Sequence, residues 1–380
     1  MENNRKKLIL FIVTEDWYFV SHRLDLAKFL IKHNYCVAVL TNVSNFKQMI
    51  ESCGIRVIPF NIKRKSLNVI SSAIILFKLF KVIYIEKPSI IHNVAIKPIL
   101  YSTIISIFLK FNMVNSYTGL GYLFTDSDKK KNLLENLIRF ILTNIFIFST
   151  NNTTKSIAQN KHDYKYLINS FGLKKENTFL IKGSGVDHNK YSHYKEISGP
   201  IIVTIVTRML YDKGIIEFIN AARILNKKYN NKCIFHLVGS PDRHNPTSIP
   251  EEQILQWEKE GIIKWLGHSN EISRIWRNSH IAVLPSYREG LPKCLLEAAA
   301  SGKPIVATSI PGCREIIQHN YNGLLVPVKD SFKLAIAIEY LIINKSVRET
   351  MGRRNIDLVK RIYSNDAIFP QILSVYKKCF

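Results

Sequence analysis

The run Leu8–Val13, six consecutive apolar residues ending just before Glu15 and Asp16, constrains the fold more than any other feature. An unbroken short run of this kind fits a strand buried on both faces. Such strands belong to parallel sheets, which need helical crossovers. The chain continues accordingly. Phe19–Asn34 reads as a helix, with Leu24, Ala27, Phe29, Leu30 and Ile31 at its apolar positions. Cys36–Leu40 and Val57–Pro59 read as strands, Ser66–Glu86 as a helix, Ser89–His92 as a strand after Pro88, and residues 98–110 as another apolar helix.

A second series begins at Ile201–Val206. Helices are expected at Lys213–Lys228, Glu251–Lys259, Ile272–Asn278, Lys293–Ala300 and Ser331–Ile343. Strands are expected at Cys233–Val238, Ile263–Trp265, Ile281–Leu284, Pro304–Ala307 and Leu324–Val326. Two such series predict an α/β protein of two doubly wound parallel-sheet domains. A chain of 380 residues, 47% of them hydrophobic, can bury two cores. The boundary is expected in the Gly-, Ser- and Pro-bearing stretch Gly183–Gly199. This gives domains 1–185 and 186–363, with an amphipathic helix at about 364–380 packing back on the first. Ligands of doubly wound sheets sit beyond the carboxyl ends of the strands, so a cleft facing both sheets is expected.

The net charge of +24 calls for an anionic partner. Residues 1–185 hold 26 Lys/Arg against 11 Asp/Glu, and the remainder 27 against 18, so the first domain carries most of the excess. Nucleic acid is not expected, because most aromatics fall in apolar runs that read as buried. A membrane surface fits better. Lys63-Arg64-Lys65 precedes a helix with Ile74, Ile75, Leu76, Phe77, Leu79 and Phe80, punctuated by Lys78 and Lys81, and Lys129–Lys131 adds charge. The longest apolar stretches, such as Ile99–Leu109, are too short to span a bilayer. Leu8–Val13 is too short for a signal sequence. Six scattered cysteines without a CxxC pair suggest reduced thiols in a cytoplasmic protein and no zinc site.

The densest chemistry lies in Pro285–Glu297. A buried strand ends at Pro285, a loop carries Glu289 and Gly290, and a helix starts near Pro292. Its free N–H groups suit a phosphate. Glu297, one to two turns in, faces the same way. Glu289 and Glu297 together can bracket a sugar nucleotide, since a carboxylate accepts two hydrogen bonds from paired ribose hydroxyls. Arg208 and Lys213 follow strand 201–206 at a helix start and make a diphosphate clamp.

These features resemble the retaining glycosyltransferases of the large GT4 family, with the two-domain GT-B fold. Two Glu separated by seven residues, Glu289 and Glu297, match its signature, and Ala298–Gly302, Pro304–Thr308, Pro311-Gly312, Glu315 and Asn322-Gly323-Leu324 fit the text that follows. The resemblance is dense over about residues 200–330. It implies that Arg208 and Lys213 bind phosphate, and that Gly239, Leu266, Gly290 and Leu291 border the nucleotide. It also implies that Glu297 holds the ribose and Glu289 contacts the sugar. Gly185-Val186-Asp187 resembles the turn at the family's domain junction. Phe19–Leu24 and Val114–Gly121 resemble a subgroup acting on lipid-linked sugars in bacterial surface-polysaccharide assembly. His22, His92, Lys97, Thr118 and Gly119 are the acceptor-side candidates. Thr118 stands where many members carry a His.

The expected activity is therefore transfer of a hexose or N-acetylhexosamine from a nucleotide-diphosphate sugar to a lipid-linked saccharide. UDP is expected from family habit. The protein would lie at the inner membrane face, with no cofactor and no metal, because Arg208, Lys213 and the helix start near Leu291 neutralise the leaving diphosphate. The alternative is a catalytically silent sugar-nucleotide-binding or scaffold protein of the same fold.

Overall fold

A computed structural model describes residues 6–61, 69–119, 153–191, 196–229, 232–242 and 245–380. The chain divides into two compact units, Met1–Gly185 with Ile368–Phe380, and Val186–Ala367.

The first unit runs β1 (Leu8–Glu15), α1 (Asp16–His22), α2 (Leu24–Lys32), β2 (Cys36–Asn42), α3 (Lys47–Glu51), β3 (Arg56–Pro59), α4 (Val69–Glu86), β4 (Ile90–Val94), α5 (Ile96–Ile105), β5 (Met113–Tyr117), β6 (Thr154–Ala158), α6 (Lys161–Asn169) and β7 (Thr178–Leu180). Its seven strands lie in the order β3-β2-β1-β4-β5-β6-β7, all parallel. The order reverses between β1 and β4. Phe19–Asn34 is therefore two helices rather than one, broken at Arg23, whose φ of −131° leaves the helical range. The helix expected over residues 98–110 begins earlier and stops at Ile105. Strands β6 and β7 lack a continuous apolar run and were not legible in the sequence. Lys63-Arg64-Lys65 and Lys129–Lys131 lie outside the described residues.

The second unit runs β8 (Ile201–Val206), α7 (Ile215–Tyr229), β9 (Cys233–Val238), α8 (Glu251–Lys259), β10 (Lys264–Trp265), α9 (Ile272–Arg277), β11 (Ile281–Leu284), α10 (Lys293–Ala300), β12 (Ile305–Thr308), α11 (Pro311–Arg314), β13 (Gly323–Val326), α12 (Ser331–Ile343) and α13 (Lys345–Leu358). Six parallel strands lie in the order β10-β9-β8-β11-β12-β13, reversing between β8 and β11. Helix α13 carries too few apolar residues to be legible in the sequence. A buried ion pair pins it: Arg348 donates to both carboxylate oxygens of Glu196, at 2.9 and 2.5 Å, and to the carbonyls of Leu341 and Ile342.

The final helix, α14 (Asn365–Lys377), packs into the first unit. Ile368, Phe369, Ile372, Leu373, Val375 and Tyr376 are buried in the core formed by Ile9, Phe11, Ala27, Leu30 and Ile90. Each such apolar side chain contributes about 1.5–3 kcal/mol by leaving water. Tyr376 also closes a buried polar chain. Its hydroxyl lies 2.5 Å from His92 Nδ1, and His92 Nε2 lies 2.7 Å from Ser116 Oγ. His92 is completely buried and both ring nitrogens are occupied. This corrects the expectation that it meets an acceptor: its side chain points onto the sheet face under α14, not out of the strand end.

Tyr376→Phe should leave His92 Nδ1 without a partner and cost about 1–3 kcal/mol, read by chemical denaturation. Burial, and secondarily the charge of Arg23, push the His92 pKa well below the ordinary value. The unfolded chain, titrating near ~6.5, therefore binds the proton first as pH falls. The His92 contribution is constant above about pH 6.5 and is lost below it, by up to ~1.4 kcal/mol per pH unit. The stability difference between the wild type and His92→Gln, read from melts, should be constant above about pH 6.5 and change with pH only below it.

Candidate active site

The second unit places Arg208 and Lys213 beyond the carboxyl end of β8 and Glu289, Gly290 and Leu291 beyond that of β11. The turn after β8 is held against the loop after β11 by the main chain. Gly214 has φ +69°, and a Cβ there would stand 2.1 Å from the Pro285 carbonyl oxygen. Only glycine combines that conformation with that approach. The Tyr287 N–H also donates to the Asp212 carbonyl. This docking sets Lys213 beside Glu289, Nζ to Oε1 at 2.5 Å. Ser286 Oγ donates to the same carboxylate oxygen at 2.8 Å. Both side chains of the pair are largely buried, at 18% and 13% exposure.

Arg208 lies on the same turn and donates from Nη1 to Asp242 Oδ2 at 2.8 Å. Lys213 and Arg208 thus each hold a carboxylate of their own unit. An arriving diphosphate would have to exchange partners with Glu289 and Asp242. Gly239 ends β9, where its N–H donates to the Gly267 carbonyl and its own carbonyl accepts from Trp265 Nε1 at 2.9 Å. Leu266 follows β10, bonded through its N–H to Leu237.

Gly290 and Leu291 lead into α10, whose cap position is Pro292, without a side-chain cap. Glu297 is buried on α10, with Lys293 Nζ 3.8 Å from Oε1 and the Tyr191 side chain hydrogen-bonded to it. Burial raises its pKa above the usual carboxylate value, against the opposing pull of Lys293, Tyr191 and Lys190. Burial and the Glu289 charge likewise push the thiol of Cys294, one residue along the helix from Lys293, far up, so it stays protonated. Glu315 accepts the Tyr363 hydroxyl on its main-chain oxygen.

In the first unit the acceptor-side candidates separate. His22 is half-buried and stacks on Tyr18, with ring centroids 4.1 Å apart and planes 3° apart. The Tyr18 hydroxyl shares a hydrogen bond with Thr118 just past β5. Gly119 follows, half-buried. Lys97 sits in the first turn of α5, half-buried, its pKa lowered by burial. His92 belongs to the core. Among the described residues, no group of three or more His, Cys, Asp or Glu could hold a metal ion.

Ser286, Asp242, Tyr191 and Lys293 were missed as site residues in the sequence. Ser286 and Lys293 stand inside the motif that was singled out. Nothing local marks Asp242 or Tyr191, which reach their partners from other loops.

The comparisons fit this geometry. Residues 187–357 match the model for glycosyl transferases group 1, and residues 8–152 the model for glycosyl transferase 4-like proteins. The chain is 29% identical over 360 residues to the N,N'-diacetylbacillosaminyl-diphospho-undecaprenol alpha-1,3-N-acetylgalactosaminyltransferase of Campylobacter jejuni, covering 88% of this chain and 91% of that one. It is 26% identical to the capsular polysaccharide biosynthesis glycosyltransferase CapM of Staphylococcus aureus, covering 92% and 91%. A crystal structure of Anabaena HepE in complex with UDP-glucose aligns over 97% of this chain and 99% of that one, with a TM-score of 0.78 and 20% identity. The glycosyltransferase WaaG aligns over 97% and 99%, with a TM-score of 0.75 and 14% identity, and the likeness to both structures is one of fold. With its two halves matched in turn by the 4-like and group 1 models, the chain belongs to the GT4-type glycosyltransferases of GT-B fold.

Proposed function

We propose that the enzyme transfers a hexose or N-acetylhexosamine, with retention, from a UDP-sugar to a lipid-linked saccharide in surface-polysaccharide synthesis. The observation that carries this reading is the cluster of Lys213, Glu289 and Arg208 at the switch point of the second unit's sheet. The printed activity of the Campylobacter relative, which acts on a diphospho-undecaprenol-linked sugar, supports the acceptor class. An Escherichia coli relative, 24% identical over 278 residues, is a UDP-Gal:alpha-D-GlcNAc-diphosphoundecaprenol alpha-1,3-galactosyltransferase and supports UDP.

In this mechanism the bond from the sugar's anomeric carbon to the diphosphate oxygen breaks, and a bond to the acceptor hydroxyl oxygen forms on the same face. The acceptor proton passes to the departing phosphate. Negative charge grows on the diphosphate, and Lys213 and Arg208 turn from Glu289 and Asp242 to meet it. Glu289, released, accepts hydrogen bonds from the sugar. Glu297 holds the ribose. The two cations do the neutralising without a metal.

Membrane docking belongs to the first unit. Helix α4 turns Ile75 and Leu79 into the core but leaves Ile74, Phe77, Tyr84 and Ile85 exposed. Ile107 and Phe108, after α5, are exposed too, and Lys78, Lys81 and Lys110 stand among them in solvent. Apolar side chains interleaved with lysines suit an anionic lipid surface. Among the described residues, no helix is long and apolar enough to cross a membrane.

Calorimetry with UDP and GDP should show one nucleotide binding. Arg208→Ala and Glu297→Ala should each weaken it by at least about tenfold, the worth of a charge-assisted hydrogen bond. No nucleotide binding to folded protein would leave the silent-scaffold alternative. Glu289→Gln should not weaken nucleotide binding, since it removes the anion that competes for Lys213, while lowering kcat about 10²-fold or more, because its carboxylate serves the sugar. In flotation with vesicles containing anionic lipid, Phe77→Glu with Phe108→Glu should release the protein. Retention of the doubly substituted protein on vesicles would place the contact elsewhere.

A further inference from the structure

Arg23 is 2% exposed, yet among the described residues no carboxylate pairs with it. Among those residues its one hydrogen bond runs from Nη1 to the adjacent His22 carbonyl at 3.5 Å, the outer limit for such a bond, and its buried Nε has no partner. The groups that feel its charge are Tyr18, Tyr376 and His92. Asp16, seven residues earlier, is committed to the Ser44 and Phe46 main-chain N–H groups and the Ser44 hydroxyl. Glu15 accepts from Asn42. Arg348 in the second unit provides the contrast, since it is equally buried but meets both oxygens of Glu196 and two carbonyls. A buried, uncompensated cation costs several kcal/mol. Nothing among the described residues compensates it, which leaves room for an anionic ligand.

Its position says what kind of group that is. Arg23 follows α1, directly after β1, where the strand order reverses between β1 and β4. The carboxyl edge at such a reversal takes ligands in open parallel sheets. Tyr18, which feels the Arg23 charge, reaches across to Thr118 at the end of β5. The next residue, Gly119, has φ +134°, a conformation that favours glycine, and no other described residue lies within 4 Å of where a Cβ would stand. A guanidinium with unused donors, two hydroxyls and an open glycine suit a phosphate group.

We propose that Arg23 anchors a phosphate of the acceptor in the first unit, with Tyr18, Thr118 and Gly119 around it. This rests on the reading that the acceptor is a sugar carried on a lipid diphosphate. Arg23 then discriminates acceptors by the phosphate linkage rather than by the sugar. The same chemistry could come from the donor diphosphate, and the test separates the two.

The first arm uses protein saturated with UDP and titrated with inorganic pyrophosphate. The wild-type melting temperature should rise, and that of Arg23→Gln should not. The second arm measures transfer to a short-chain prenyl-diphosphate N-acetylhexosamine. Arg23→Gln should raise the acceptor KM about 10- to 100-fold while leaving the UDP Kd unchanged, and Arg23→Lys, which keeps the charge but not the fork, should fall between. An unchanged acceptor KM in folded Arg23→Gln overturns the proposal. So does a weakened UDP Kd, which would assign Arg23 to the donor. If Arg23→Gln fails to fold, the wild-type pyrophosphate response and the Arg23→Lys KM decide, and no response with an unchanged KM overturns it. Failure of the wild type to bind UDP would sink the transferase reading, while the pyrophosphate response of the wild type and Arg23→Gln without UDP would still report on Arg23.

Discussion

The main-chain contact between Gly214 and Pro285 sets the geometry of the second unit's site. It locks two strand-end loops together before any side chain is placed. Lys213 then has one short path, to Glu289, and Ser286 fixes the carboxylate from the other side. The pair resists water because both members are largely buried. Such a pair gains little net stability, since desolvation offsets much of the attraction. Its value lies in holding a lysine ready at low dielectric, where exchanging one anion for another is electrostatically strong.

The two units treat buried charge differently. In the second, the buried cations have their acids, Lys213 with Glu289 and Arg348 with Glu196, and the more exposed Arg208 has Asp242. In the first, Arg23 sits among phenols and a neutral histidine. The same unit carries most of the chain's positive excess and exposes phenylalanines among lysines. The proposed acceptor, anionic, partly apolar and presented at a lipid surface, would account for all three features through charge and burial.

Much of this was legible in the sequence because it is local. Buried parallel strands announce themselves as apolar runs, and Pro285–Glu297 carries its strand, loop, proline and helix within thirteen residues. Strands β6 and β7 were not legible, because polar residues occupy part of each and only neighbouring strands make them pair. His92 shows the same limit. A histidine at a strand end reads alike whether its ring points outward or onto the sheet face, and Tyr376, 284 residues away, decides it. Asp242 and Tyr191 escaped notice for that reason too.

The sequence by itself determined the two α/β halves, the paired glutamates and the basic turn of Arg208 and Lys213, since each depends on short-range periodicity and spacing. The tertiary structure decided who holds whom. It gave Lys213 to Glu289 and Arg208 to Asp242, buried His92 beneath α14, and left Arg23 without an acid among the described residues. Those outcomes depend on which loops the folded backbone brings within about 3 Å of one another, the reach of a hydrogen bond, and no local pattern encodes that distance.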